Sequence, residues 1–110
     1  MVSPPRRDDV WLVALDPTQG SGIRKTRPCL VVSPDEANAY LRTVIVAPMT
    51  TAERSYPTRV GIMFEKKRGQ VALDQISAVD RERLVRRLGS APLKTARAVS
   101  SALVEMFTRT

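Results

Sequence analysis

The 110-residue sequence contains no histidine and only one cysteine. The lack of histidine excludes histidine-based metal sites, Ser-His-Asp triads and the paired-histidine chemistry of many ribonucleases. Any proton transfer by this chain therefore falls to aspartate, glutamate, tyrosine, lysine or arginine. A single cysteine allows neither an internal disulfide nor a zinc site. Because Cys29 lies in the apolar run at residues 28–32, we expect it to be a small buried residue, not a nucleophile.

Long apolar runs and aromatic residues are also scarce. The longest useful run, residues 10–15, has the length of a strand and is far shorter than the ~20 residues of a membrane span. Arg6 and Arg7 precede no apolar stretch of signal-peptide length. We therefore expect a cytoplasmic protein. Two Phe, two Tyr and one Trp are too few for a base-stacking platform.

Positive charge is the property that the chain has in excess. The 18 Lys and Arg residues against 11 Asp and Glu give a formal net charge of +7. On a small domain this charge favours a polyanionic partner, although a generic basic surface explains it equally well. The length corresponds to a single domain covering residues 1–110.

Short apolar runs separated by proline and glycine predict a series of short strands. The runs are rich in β-branched residues and have strand length. Asp16-Pro17, Ser33-Pro34 and Pro48 are expected to end the first three strands, because proline cannot donate to the ladder. The predicted strands cover residues 10–15, 29–32, 43–47, 58–64 and 70–73.

The segments between these strands are polar. Residues 18–26 are predicted to be a glycine-containing loop, and residues 35–40 one or two helical turns. The charged residues 65–68, followed by Gly69, are expected to be a hairpin turn in solvent. Residues 1–7 contain two prolines and two arginines and are predicted to be a flexible arm.

The C-terminal segment has a different period. Apolar residues recur there every three or four positions, which predicts a helix over residues 92–108 with Pro92 in its first turn. This apolar stripe is either core or dimer surface. Short strands followed by one helix predict a mostly β, α+β domain built as a small, partly open barrel. The stripe consists of Leu93, Ala96, Val99, Leu103, Met106 and Phe107.

Three segments, in this order and spacing, carry a family pattern. The first is the strand at residues 9–17, a Gly20-Ser21 loop, and then Arg27-Pro28 at the start of a second strand. The second is residues 46–51, and the third is residues 71–76, continuing to residue 81. Together they strongly resemble the MazF/PemK toxins of type II toxin–antitoxin systems over nearly the whole chain.

The resemblance implies a fold, an activity and partners. The fold is an SH3-like barrel with a C-terminal helix, as in MazF, PemK and the gyrase-poisoning toxin CcdB. The implied protein is a homodimer with an RNA groove across its interface. It cleaves single-stranded RNA without a metal or other cofactor, leaving a 2′,3′-cyclic phosphate and a 5′-hydroxyl. Its protein partner is an acidic antitoxin.

The resemblance also assigns catalytic roles to Arg27, Thr50 and Asp74. The planar guanidinium of Arg27 suits two phosphate oxygens and stabilises charge in the transition state. Thr50 is expected to donate a hydrogen bond to a non-bridging oxygen. Some family members carry a glutamate base in the loop after Gly-Ser, but Gly22 occupies that position here. In the PemK branch the aspartate of the Asp-Gln motif has an acid–base role, so the resemblance implies Asp74 as the candidate base, although Asp74 equally suits a structural ion pair.

Five further residues are predicted to contact RNA. Arg24 and Lys25 precede Arg27 in the same loop, Thr51 follows Thr50, and Gln75 follows Asp74. Arg81 is the fifth, and the neighbouring Asp80 is a possible counter-ion for it. Two alternatives to the ribonuclease remain open at this point: a non-catalytic toxin on the same barrel, and an RNA-binding module without toxicity.

Overall fold

The computed structural model of the chain describes residues 3–15 and 25–110. Within these residues the chain forms seven strands and two α-helices, with short 3-10 turns at Leu73–Gln75 and Arg81–Arg83. The elements in chain order are β1 (Asp9–Leu15), β2 (Lys25–Val31), α1 (Asp35–Tyr40), β3 (Thr43–Thr50), β4 (Arg59–Phe64), β5 (Lys67–Ala72), β6 (Ser77–Asp80), β7 (Leu84–Ser90) and α2 (Leu93–Phe107).

The strands form one antiparallel sheet in the order β4-β5-β3-β2-β1-β7, and β6 pairs with the first half of β3. Strand β2 pairs with one edge of β3. On the other edge of β3, the paired strand is β6 as far as Val46 and β5 from Met49 onward. This change splits the sheet into two parts that meet at the end of β3. The mostly β half-barrel with a C-terminal helix confirms the fold class expected from the sequence.

Both faces of the sheet carry an apolar core. Because side chains alternate along a strand, Leu30 and Ala47 face one side, and Cys29 and Val46 face the other. The first side packs against β4, β5 and α2, whose Val99 is buried there. Fully burying a valine or leucine side chain stabilises a fold by roughly 1.5–3 kcal/mol relative to exposure. The centres of β2 and β3 are therefore held from both sides.

Helix α2 confirms the predicted C-terminal helix to within a residue or two. Pro92 lies at its N-cap and not inside the first turn. Ala96 and Val99 are buried, whereas Leu93 and Phe107 at the two ends are 65% and 70% exposed. Only the middle of the predicted stripe is therefore core. None of the helices in the described part of the chain is long and apolar enough to cross a membrane.

The prediction that Pro48 ends the third strand is wrong. Strand β3 continues through Pro48 to Thr50. Pro48 lies between the stretch of β3 that pairs with β6 and the stretch that pairs with β5. At this position the missing N–H of proline destabilises the sheet least. Likewise, β2 begins at Lys25 and not at Cys29, so that Arg27 lies in a strand.

Two strands were not predicted at all. Strand β7 pairs with β1 at the edge of the sheet, and its Val85, Arg86 and Arg87 are exposed. An edge strand with solvated side chains lacks the apolar run that marked the others. Strand β6 is only four residues long.

Part of the predicted N-terminal arm is anchored. The backbone N–H of Arg7 donates to Asp35 Oδ1 at 2.7 Å, and the guanidinium of Arg6 lies 3.1 Å from Asp35 Oδ2. The backbone N–H of Arg6 also donates to the buried carboxylate of Asp9 at 2.9 Å. Residues 6 and 7 are thus tied to α1 and β1. Residues 1 and 2 lie outside the described residues.

Candidate active site

Arg27 and Thr50 line the same cleft. Strands β2 and β3 are antiparallel with Cys29 opposite Pro48. Two residues further outward on each strand are Arg27 and Thr50. They lie near the point where β3 leaves β6 and joins β5. The cleft has a volume of about 400 Å³ and is lined by Arg27, Pro28, Met49, Thr50, Thr51, Ile62, Phe64, Glu65, Lys67, Arg68 and Gly69.

The hydroxyl of Thr50 is held in place by the chain that follows it. The backbone N–H of Ala52 donates to Thr50 Oγ1 at 3.1 Å. A threonine hydroxyl can accept at its oxygen and donate its own hydrogen at the same time. Thr50 is therefore positioned by one hydrogen bond and keeps a donor for a ligand in the cleft.

The loop after Thr50 is attached to β5 by the side-chain amide of Gln70. Gln70 pairs with Thr50 in the ladder between β3 and β5. Its Oε1 accepts from the backbone N–H of Arg54, and its Nε2 donates to the Arg54 carbonyl, both at 3.1 Å. These two hydrogen bonds fix the loop beside Thr51. Thr51 itself lines the cleft, as its predicted RNA-binding role requires.

The cleft is rich in positive charge. Arg27, Lys67 and Arg68 line it together with one carboxylate, that of Glu65. The hairpin turn is shorter than the predicted residues 65–68, although Lys67 and Arg68 are exposed to solvent as expected. The turn consists of Glu65 and Lys66 alone, so the next two residues already belong to β5. A two-residue hairpin turn between two strands is the pattern that could have revealed this early start of β5.

Asp74 lies outside the cleft, in the 3-10 turn after β5. Its Oδ1 accepts from Arg59 Nε at 2.8 Å and from the Thr58 hydroxyl at 3.1 Å. Its Oδ2 accepts from Arg59 Nη2 at 3.2 Å. The hydrogen bonds from Arg59 lower the pKa of Asp74 below the usual 3.8, against a smaller opposing effect of burial. A carboxylate that is bound in this way accepts a proton poorly near neutral pH.

Arg59 is the residue that the sequence analysis missed around Asp74. Its side chain is only 8% exposed, and the hydrogen bond to Asp74 raises its pKa. Its guanidinium carbon also lies 5.3 Å from the centre of the Tyr56 ring. This arrangement joins the start of β4 to the turn after β5. In this structure, Asp74 therefore has the position of a structural ion-pair partner.

Of the remaining predicted RNA-binding residues, Lys25, Gln75 and Arg81 are not among the residues that line the cleft. Arg24, like Gly22, lies outside the described residues. Lys25 is exposed at the start of β2, with a left-handed φ of 71°. Arg81 donates from Nη1 to the Leu41 carbonyl at 3.5 Å, and the carboxylate of Asp80 accepts from the backbone N–H of Glu82. The structure thus brings Arg27, Thr50 and Thr51 together, without Asp74.

Cys29 confirms the prediction of a small buried residue. It is 0% exposed, and its thiol donates to the backbone carbonyl of Arg27 at 3.6 Å. Burial raises the pKa of the thiol to about 12, so the thiolate is scarce at neutral pH. Cys29 therefore supports the strand that carries Arg27 and takes no part as a nucleophile.

Comparisons with known proteins agree with this arrangement. A family model described as PemK-like, MazF-like toxin of type II toxin–antitoxin systems matches residues 6–107. The endoribonuclease MazF of Staphylococcus epidermidis is 38% identical over 89 residues, which are 76% of this chain and 74% of that protein.

Solved structures give the same result. MazF from Deinococcus radiodurans superposes with a TM-score of 0.81 at 25% identity, over 94% of this chain and 96% of that one. An endoribonuclease from Mycobacterial species, solved in complex with its cognate antitoxin, superposes with a TM-score of 0.78 at 25% identity, over 96% of this chain and 99% of that one. With its family, its fold and its cationic cleft in agreement, the chain belongs to the PemK-like, MazF-like toxins of type II toxin–antitoxin systems and is a MazF-like toxin endoribonuclease.

Proposed function

We propose that the Arg27–Thr50 cleft cleaves single-stranded RNA without a metal ion, by attack of a ribose 2′-hydroxyl on the adjacent phosphate. The observation that carries this proposal is that Arg27 and Thr50 line one cleft. These groups supply the charge and the hydrogen-bond donors that a phosphorane requires.

The reaction proceeds in one displacement. A base takes the proton of the 2′-hydroxyl, the 2′-oxygen bonds to phosphorus, and the bond from phosphorus to the 5′-oxygen breaks. The departing 5′-oxygen takes a proton from water, and the base returns its proton to the hydroxide that remains. The products are a 2′,3′-cyclic phosphate and a 5′-hydroxyl. Arg27 and Thr50 bind the non-bridging oxygens, where negative charge increases during the attack.

The base is the role that Arg27 and Thr50 do not fill. Arginine keeps its proton at any working pH, and the threonine hydroxyl serves as a donor. The family resemblance predicts Asp74, but Arg59 occupies both oxygens of that carboxylate. Among the described residues, Glu65 is the one carboxylate that lines the cleft. We therefore place Glu65 ahead of Asp74 as the base.

The partners and location follow from the family and from the charge. We propose a homodimer, in which exposed apolar side chains of α2 such as Val104 and Phe107 are available for subunit contact. We further propose an acidic antitoxin as a partner, because the net charge of +7 complements it and a structural neighbour is bound to its cognate antitoxin. Both toxin and RNA substrate belong to the cytoplasm in this proposal.

The deciding experiment combines excess EDTA with a modified substrate. The purified chain should cut single-stranded RNA in EDTA, and sequencing of the new ends should locate the cut sites. Replacing the 2′-hydroxyl at a cut site by hydrogen should abolish cleavage there and largely preserve binding. Cleavage that requires added divalent metal, or equal cleavage of the deoxy substrate, contradicts the mechanism. Binding without any cleavage of RNA identifies a non-catalytic toxin or RNA-binding module.

A further inference from the structure

The hairpin between β4 and β5 turns over only two residues, Glu65 and Lys66. Their φ angles are 48° and 64°, as a two-residue type I′ turn requires. Glycine and asparagine are usual at such positions, because a Cβ is sterically disfavoured in the left-handed region. Because the turn contains only two residues, the next residue, Lys67, pairs directly with Phe64.

This pairing determines the direction of the Lys67 side chain. Directly opposite residues of an antiparallel pair project from the same face of the sheet. Phe64 and Ile62, two residues apart on β4, both line the cleft, and Lys67 lines it beside them. Arg68 pairs with Met63 on the alternate face of the hairpin, although it also lines the cleft. The register therefore places Lys67 on the same face of the hairpin as Phe64 and Ile62.

The charge of Lys67 is available for a ligand. No carboxylate within residues 3–15 and 25–110 forms an ion pair with its ammonium group. The side chain is exposed, so that its ammonium reaches the cleft without a desolvation cost of its own. Lysine provides a compact point charge with three donors, which binds a phosphate oxygen without a fixed geometry.

We propose that Lys67 is a substrate-binding residue that holds the RNA phosphate next to the scissile one. Arg27 and Thr50 contact the scissile phosphate from the β2 and β3 side of the cleft. Lys67 contacts its neighbour from the β5 side, across the apolar surface of Phe64 and Ile62. Two phosphates fixed on different strands set the direction in which the RNA crosses the cleft. This inference rests on the proposed function, since it assigns a subsite to the same substrate.

The test compares Lys67→Gln with Lys66→Gln. The two variants lose the same charge from adjacent exposed positions, but Lys66 does not line the cleft. Binding is measured from low to moderate salt on a single-stranded RNA with a 2′-deoxy nucleotide at the mapped cut site. Lys67→Gln should lose roughly tenfold in affinity, the weight of one charge-assisted hydrogen bond. Its log–log salt slope should decrease by about 0.7, the value for one phosphate contact on single-stranded nucleic acid.

The control determines how the result is interpreted. Lys66→Gln should change the slope much less than Lys67→Gln, and both should melt like the wild type. Equal changes in the two variants, or none in Lys67→Gln, overturn the proposed subsite and leave the cleavage mechanism intact. If the wild type leaves RNA uncut, the cleavage proposal fails. The salt slopes, measured on the intact RNA, then still decide whether Lys67 binds phosphate.

Discussion

Gly69 lies directly against the backbone of Thr50. A Cβ at position 69 would come within 2.9 Å of the Thr50 carbonyl oxygen, a separation that real Cβ contacts do not show. Strand β5 therefore reaches Thr50 only because residue 69 has no side chain. The position of the Thr50 hydroxyl in the cleft depends on this close approach, since Thr50 ends the strand that β5 contacts.

Gly69→Ala should displace Thr50 and slow RNA cleavage by at least about tenfold, because a shift of about half an ångström in a catalytic group is costly. Gly61→Ala in the same hairpin is the matched control, since nothing lies within 4 Å of a Cβ there. In a double-mutant cycle, adding Gly69→Ala to Thr50→Val should cause little further loss in single-turnover rate. A full additional loss would show that Gly69 does not act through Thr50.

Arg27→Ala should reduce the single-turnover rate by at least ~100-fold, the usual effect of deleting one preorganised donor to a developing oxyanion. Arg27→Lys should restore little, because a point charge does not reproduce the planar fork. Arg97→Ala, an exposed arginine on α2, removes the same charge away from the cleft and should cleave nearly as fast as the wild type. Equal rates for Arg27→Ala and Arg97→Ala would place the reaction elsewhere.

Asp74→Asn should reduce stability more than it changes chemistry. Losing the Arg59 contacts should lower the free energy of unfolding by about 1–2 kcal/mol. This value allows for screening by solvent, because the side chain of Asp74 is 32% exposed. Because folding lowers the pKa of Asp74, its stabilisation is present above the usual value of 3.8 and is lost as the pH falls through the folded pKa. Thermal melts should therefore separate wild type from variant at pH 7 and converge in strong acid.

Glu65→Gln, compared with Asp74→Asn, tests whether Glu65 is the general base. If Glu65 takes the proton of the 2′-hydroxyl, Glu65→Gln should reduce the single-turnover rate by about 100-fold or more, whereas Asp74→Asn should leave that rate nearly unchanged. RNA affinity should change little in Glu65→Gln. The opposite pattern, with a large rate loss in Asp74→Asn alone, would return the role of base to Asp74.

The thiol of Cys29 should resist alkylation in the folded protein. It is fully buried, and burial raises its pKa to about 12. Iodoacetamide at pH 8 should label it only after denaturation, as measured by mass spectrometry. A cysteine introduced at the exposed Ser100 of α2 provides the positive control. Rapid labelling of native Cys29 would indicate that β1 and β2 separate readily.

Much of this protein can be predicted from short-range features of its sequence. The apolar runs of β1 to β4 and the three- to four-residue period of α2 depend on neighbouring residues, and each gave an element of the right type. The apolar surroundings of Cys29 correctly predicted a small buried residue. The order of the Arg27-Pro28, Pro48-Met49-Thr50 and Asp74-Gln75 motifs led to the toxin family that the comparisons show.

The tertiary structure alone decided which charged side chains share the cleft. Lys67 appears in the sequence as one of three consecutive basic residues, and only the fold shows that it shares a face with Phe64 and Ile62 in the cleft. Asp74 appears as a candidate base, and only the fold places Arg59, 15 residues earlier in the chain, against its carboxylate. Charge and residue type are local properties, but direction and ion pairing arise from strands that meet across the sheet, because a shift of one residue in register reverses the face on which a side chain lies.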